Sequence, residues 1–182
     1  VMDDPNLDRK RHFDALRGLT RLNGLSFSAQ ILWRPILRLA RQCKLDKLRV
    51  LDVATGAGDL PIRLWKMADR AKLKLDIHGV DISSQALDFA KINAANQGAP
   101  IQFSELNVLR DDLSQGYDVV ISGIDTTEAL VEADKMAGQG KAVWAIPYDY
   151  IGAIDEAPKV ALGVPYFNWG PAYVEQVQAV LD

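Results

Sequence analysis

The stretch Val50-Leu51-Asp52-Val53-Ala54-Thr55-Gly56-Ala57-Gly58-Asp59 joins an apolar run to a turn of small residues and then to a helical pattern. Glycines in such a turn let backbone come close to a ligand held at a helix N-terminus. The phosphate-binding patterns are not met: Pro61 stands where a dinucleotide fingerprint wants its third glycine, and the lysine of a P-loop is missing. Asp52 and Asp59 bracket the turn, where a pyrophosphate would meet charge of its own sign, so a cationic ligand suits the site better. Asp81 closes the next apolar run, about 20 residues past the glycines, where a carboxylate can accept hydrogen bonds from both hydroxyls of a ribose. These positions predict a ligand with a ribose at one end and positive charge near the loop.

The elements that must hold these residues are legible from periodicity. Short apolar runs alternate with amphipathic stretches from Arg49 onward, which predicts a parallel sheet covered by helices on both faces. Strands are expected at 50–53, 75–80, 101–104, 118–122, 142–146 and 160–164. Helices are expected at 60–69, 84–95 and 127–137, with a last one at 171–181. Ser83 is a candidate helix cap, Pro171 suits a first helical turn, and Gly98, Gly138 and Gly140 stand where helices end on a left-handed residue. Ahead of the sheet, apolar residues at helical spacing from Phe13 to Leu39 give two helices broken near Asn23 and Gly24. Right-handed crossovers and one reversal of winding yield a doubly wound, Rossmann-like α/β/α domain of strand order 3-2-1-4-5-6. Its ligand crevice lies at the C-terminal ends of strands one and four.

A chain of 182 residues with 48% hydrophobic and 25% charged residues can bury one domain's core. Its net charge of -3 is unevenly spread: the segment up to Arg49 carries about +6 and the rest about -9. The basic residues alternate with apolar ones at helical spacing, as on a solvated helix face, and no aromatic platform accompanies Arg9, Lys10 and Arg11, so no nucleic-acid role is expected. Cys43 has no partner, and His12 and His78 stand far apart, which leaves no disulfide framework and no metal-ligand cluster. No apolar run approaches the ~20 residues of a bilayer span and no leader pattern opens the chain. A soluble, cytoplasmic protein, monomeric or weakly dimeric, is the expectation.

S-adenosylmethionine, with its ribose, ammonium and sulfonium, meets the conditions set by the loop and Asp81. The motifs LDVATGAGD, HGVDIS, ELNVLRDDL and YDVVIS, in this order across 47–122, resemble the class I S-adenosylmethionine-dependent methyltransferases, and the preceding helices at 1–46 resemble the cap of such domains. The resemblance implies that Asp52, Ala54, Gly56 and Gly58 face the methionine part of S-adenosylmethionine or S-adenosylhomocysteine. By the same token Asp81 takes the ribose and Ile82 the adenine. Asn107 and Val108 fall where the family usually has an acidic residue near the adenine amino group, and the Asn107 side-chain oxygen can accept the same bond.

Beyond Ser122 the family's acceptor-binding motifs do not follow. The segment 123–182, with AIPYDY and EAPKVALGVPYFNWGPAYVEQVQAV, resembles a periplasmic-binding-protein-like lobe of the basic membrane lipoprotein, or nucleoside-binding, family, in which Asp149 would take a ribose. Asn168, Trp169 and Gly170 are read as the start of the last helix. The two resemblances together predict an engineered hybrid of two α/β families, joined near Ser122, that keeps a cofactor half-site without turnover. The alternatives are an active small-molecule methyltransferase using Asp125 or Glu128 as base, and a nucleoside-binding module acting through Asp149.

Overall fold

The computed structural model describes residues 13–18, 27–107, 110–111, 116–124, 127–148, 152–165 and 178–179. Its elements in chain order are α1 (13–18), α2 (Ser28–Gln42), β1 (Lys47–Val53), α3 (Asp59–Arg70), β2 (Lys74–Asp81), α4 (Ser84–Asn96), β3 (Gln102–Glu105), β4 (Val119–Ser122), α5 (Glu128–Gly138), β5 (Trp144–Ile146) and a short α6 (Ala153–Glu156). The strands form one sheet in the order β3-β2-β1-β4-β5, and every pairing is parallel. The expected doubly wound topology is therefore observed through five strands. The sixth strand shrinks to a single parallel bridge, Ala145 to Ala161, on the outer side of β5. Two hydrogen bonds hold it, Ala145 N to the Val160 carbonyl and Leu162 N to the Ala145 carbonyl, each 2.9 Å.

Period-two alternation sends opposite sets of side chains to the two faces. On one face Leu48, Val50, Leu75, Ile77, Val119 and Ile121 pack against Leu32, Ile36 and Leu39 of α2 and Leu64 and Ala68 of α3. The buried residues of α2, Ala29, Leu32, Ile36, Leu39 and Ala40, recur at helical spacing and make the stripe that seats it. On the other face Leu51, Val53, Val80, Val120 and Ala145 meet Leu130, Ala133 and Met136 of α5, with Ala153, Ala157 and Val160 closing the edge.

Among the described residues no helix separates β3 from β4, and the second face turns polar toward β3. There His78 Nε2 lies 2.7 Å from Ser104 Oγ, His78 Nδ1 meets the Tyr117 hydroxyl at 2.5 Å, and Lys47 pairs with Asp76 at 3.3 Å. Side chains bonded to one another stand where a covering helix would demand apolar ones. Burial lowers the His78 pKa against an upward pull from Asp76.

Ser83 caps α4 as expected, its Oγ accepting from Ala86 N at 3.3 Å. Gly98 and Gly140 adopt positive φ, +65° and +83°. Gly138 is instead the last residue of α5 and lies outside the left-handed region. Asn23, Gly24, Pro171 and the Asn168-Trp169-Gly170 turn lie outside the described residues, and of the helix expected at 171–181 only 178–179, which are helical, are described.

Gly79, inside β2, is required by space rather than by dihedral angle. A Cβ there would fall 2.7 Å from Thr55 Oγ1 and 2.8 Å from the Phe103 ring. Gly79→Ala should cost about 1–3 kcal/mol by overpacking. Gly138→Ala, whose Cβ meets nothing within 4 Å, should be neutral or stabilising by up to ~1 kcal/mol. Urea denaturation of the two variants checks the contrast, and equal effects would contradict it.

Candidate functional site

The turn after β1 is held from three directions. Thr55 N–H donates to the Val80 carbonyl at 3.0 Å, Gly58 N–H to the Thr55 carbonyl at 2.9 Å, and Asn93 Nδ2 of α4 to the Ala57 carbonyl at 3.0 Å. Ala54, Gly56 and Gly58 all lie in the left-handed region, at φ 57°, 53° and 69°. For Ala54 this costs about 1–2 kcal/mol, a strain kept at the lip of the crevice. A side chain at Gly56 would point into open space, whereas one at Gly58 would strike Ala90 and Phe103 at 3.0 Å. Gly56 thus leaves room beside the loop, and Gly58 serves the packing of loop on α4 and β3.

Asp81, at the C-terminal end of β2, ties this turn to the next one. Its Oδ2 accepts from Gly56 N–H and its Oδ1 from Ser83 N–H, both at 2.9 Å. Each carboxylate oxygen keeps a second lone pair, so two further donors can be received. Beside it Ile82 is 65% exposed, an apolar side chain presented to solvent at the sheet's C-terminal edge. Asn107 follows β3, half-buried, with its backbone N–H on Asp111 Oδ2 at 2.7 Å. Val108 lies outside the described residues.

Asp52 is 3% exposed and Asp59 6%. Thr55 Oγ1 donates to Asp52 Oδ2 at 2.6 Å. Burial raises the Asp52 pKa from 3.8 to about 7, the Thr55 hydrogen bond opposes the rise, and the charges of Asp59 and Asp81 add to it. The carboxyl group is poised to lose its proton near neutrality when positive charge approaches.

Both aspartates open onto a cavity of about 330 Å³ between α2 and the C-terminal ends of β1, β4 and β5. The cavity is apolar on the side of Ile31, Leu32, Ile121 and Ile146, and polar at Ser28, Thr55, Arg63 and Tyr148. Its floor is tight: Gly123 N–H donates to the Val53 carbonyl at 2.9 Å, and a Cβ at Gly123 would meet that carbonyl at the same distance. The N-terminal helices flank the loop on two sides. Ala29, Ile31 and Leu32 of α2 wall the cavity, while Leu16 of α1 packs on Ala57 and Ala86, with Phe13 edge-on to Phe89 at 5.0 Å.

The structure therefore brings Asp52, Ala54, Gly56, Gly58 and Asp81 to one edge of the sheet, with Ile82 and Asn107 on its open side. Arg63, Ser28 and Tyr148 were not anticipated. Arg63 follows Asp59 by one helical turn, a spacing that places both on one face of α3. Tyr148 lies in AIPYDY, which was assigned to a different family. Among the expected bases, Glu128 is exposed on the first turn of α5, outside the cavity walls, and Asp125 lies outside the described residues, as does Asp149.

The buried Asp52 carries a pH signature. Its folded pKa, about 7, exceeds the unfolded 3.8, so the folded state holds a proton that the unfolded chain releases. The resulting stability is present below about pH 4 and is lost as pH rises to about 7. At about 1.4 kcal/mol per pH unit, the ceiling of the loss is about 4 kcal/mol. Wild-type stability relative to Asp52→Asn should fall across that window and level off above it in urea titrations; a constant difference would refute the assignment.

Comparison with known proteins gives a consistent family. The profile described as "Methyltransferase domain" matches residues 44–143, more than half of the chain. Demethylmenaquinone methyltransferase of Thermus thermophilus is 29% identical over 151 residues, covering 78% of this chain and 63% of that protein. Release factor glutamine methyltransferase of Flavobacterium psychrophilum is 35% identical over 79 residues, 43% of this chain and 26% of that protein. Ribosomal protein L11 methyltransferase of Dictyoglomus turgidum is 37% identical over 80 residues, 43% and 24% of the two chains. The chain thus spans about a quarter of the length of two of these relatives and under two thirds of the third. Among solved structures, an S-adenosylmethionine-dependent methyltransferase from Clostridium acetobutylicum aligns with a TM-score of 0.42 at 19% identity, covering 61% of this chain and 43% of that one. The profile match runs without a break through Ser122, the expected junction of a hybrid, and nothing in these comparisons supports a binding-protein-like second half. The chain belongs to the methyltransferase domain family.

Proposed function

We propose that this chain is an S-adenosylmethionine-dependent methyltransferase domain in which α1 and α2 flank the cofactor and an acceptor enters beneath α2. The observation that carries the reading is the pair of carboxylates at the glycine turn: Asp81, which accepts from Gly56 N–H, and Asp52, which accepts from Thr55 and lines the 330 Å³ cavity. The residues fit the cofactor's chemistry. Asp81 offers its free lone pairs to the ribose hydroxyls, Ile82 an apolar surface to the adenine, and Asn107 and Val108 the side of its amino group. Asp52, in its ionised form, and the neighbouring Asp59 answer the ammonium, while the open space at Gly56 lets the ligand approach the backbone. Ala54 and Gly58 shape the loop. When bound, the cofactor supplies an electrophilic methyl group on a sulfonium centre.

The chain's own contribution is chiefly positioning, since cavity walls that align an acceptor with that methyl group supply most of what such a transfer needs. Tyr148 and Ser28 are the neutral polar groups that can orient the acceptor. Glu128, on the surface of α5, is not assigned as a base. A scaffold without turnover, a hybrid joined at Ser122 and a nucleoside module acting through Asp149 have no observation in their favour, whereas the unbroken family match favours the active enzyme. The proposed partners are the small-molecule cofactor and acceptor, with no role for nucleic acid or membrane. Among the described residues no helix is long and apolar enough to cross a membrane.

Isothermal titration with S-adenosylmethionine and S-adenosylhomocysteine tests the reading. Saturable binding is expected, weakened about 10-fold to 100-fold in Asp81→Ala by loss of charge-assisted hydrogen bonds. Asp81→Asn, which keeps an acceptor for Gly56 N–H, separates loss of the ribose contacts from loss of the loop. A well-folded wild type that binds neither ligand would refute the proposal. Because a cationic ligand favours ionised Asp52, affinity should rise from pH 6 to pH 8, with that rise absent in Asp52→Asn.

A further inference from the structure

A second void adjoins the first. It is a furrow of about 360 Å³ between the start of α2 and the end of α4, floored by α3. Its walls include Arg63, Lys66 and Arg70, spaced three and four residues apart and hence on one face of α3. Over seven residues of helix they make a basic line about 10 Å long. Asp59 is the one acid among the described walls, and it lies at the end that the furrow shares with the cavity, together with Ala29 and Arg63.

Two observations separate this line from an ordinary solvated helix face. Among the described residues neither Arg63 nor Arg70 forms an ion pair. Lys66, in turn, is engaged in a relay of side-chain hydrogen bonds. Its Nζ donates to Gln97 Oε1 at 2.5 Å, Gln97 Nε2 donates to Asn93 Oδ1 at 2.8 Å, and Asn93 Nδ2 donates to the Ala57 carbonyl at 3.0 Å. A chain of side-chain hydrogen bonds therefore runs from the furrow to the loop of the candidate cofactor site. The joined voids are polarised, with Asp52 at one end, Lys66 and Arg70 at the other, and Asp59 and Arg63 at the seam.

We propose that the furrow seats the phosphate or diphosphate group of a phosphorylated methyl acceptor, with Arg63, Lys66 and Arg70 as its ligands. The proposal rests on the methyl-transfer reading above and adds the acceptor's class. The acceptor's uncharged, reacting end passes Arg63 into the apolar side of the cavity, beside Ile31 and Ile121. Its anionic end remains outside, where guanidinium and ammonium groups form charge-assisted hydrogen bonds to phosphate oxygens. Asp59 at the seam repels the anion from the cavity and so sets the direction in which the acceptor enters.

Inorganic pyrophosphate is the probe, titrated calorimetrically at fixed ionic strength into the whole chain, with and without saturating S-adenosylhomocysteine. Saturable binding is expected with and without S-adenosylhomocysteine, because Lys66 and Arg70 lie at the end of the furrow that the cavity does not share. It should weaken about tenfold in Arg70→Gln and further in Lys66→Gln/Arg70→Gln. Arg34→Gln/Arg38→Gln removes two exposed charges of α2 outside the furrow and should change it less than about twofold. Equal weakening in that control, competition with S-adenosylhomocysteine, or no saturation would each overturn the furrow assignment. Failure of S-adenosylhomocysteine to bind the wild type would instead sink the methyl-transfer reading, and with it the acceptor's class, even if pyrophosphate still bound.

Discussion

The candidate site depends first on the carboxylate of Asp81, which accepts one backbone N–H from each of two turns. Gly56 belongs to the turn leaving β1 and Ser83 to the turn leaving β2, so one side chain fixes the relative height of both loops at the edge of the sheet. The arrangement works because β1 and β2 are parallel neighbours, with Val53 opposite Val80, and both turns therefore open at the same edge. Beneath the bridge, Gly79 and Gly58 leave the space that the Phe103 ring fills. The loop is thus pressed onto β3 as well as tied to β2. A group that organises the loop and keeps unused lone pairs can meet a ligand without rebuilding the loop around it.

Electrostatics divide the same region into two ends. Asp52 is buried against a threonine hydroxyl and close to two other carboxylates, an arrangement that disfavours its charge until positive charge arrives. One helical turn beyond Asp59, the sign reverses with Arg63, and the basic line continues to Arg70. The helix dipole has the matching sense, since Asp59 in the first turn of α3 and Arg70 in its last turn are both favourable. Local helix stability and ligand polarity therefore make the same demand on this face of α3.

The second half of the chain shows how little a motif on one strand can distinguish. AIPYDY resembles a binding-protein lobe, and its Ala145 and Ile146 belong to β5, which pairs in parallel register with β4, Val120 to Ala145, and are buried as a continuation of the same sheet. Short parallel strands buried on both faces look alike across α/β families, because any such strand needs a run of small and branched apolar residues. A resemblance confined to strands therefore reports the architecture rather than the ancestry. Tyr148, next to that strand, lines the cavity under α2, so the segment contributes to the same site as the glycine loop.

Sequence alone determined five of the six expected strands, their order in the sheet, the glycine turn and the aspartate that follows it, because each is written in local periodicity or in a fixed spacing along the chain. It also placed Asp52, Gly56, Asp81 and Ile82 at one edge of the sheet, a consequence of parallel topology that any chain of this pattern shares. Tertiary structure decided what lies between elements far apart in sequence. Only packing shows that α2 roofs a cavity, that Gly58 serves Phe103, that the second face of β2 and β3 is polar around His78, and that Lys66 reaches the loop through Gln97 and Asn93. Those contacts join residues with no periodic relation to one another, so no pattern along the chain could announce them.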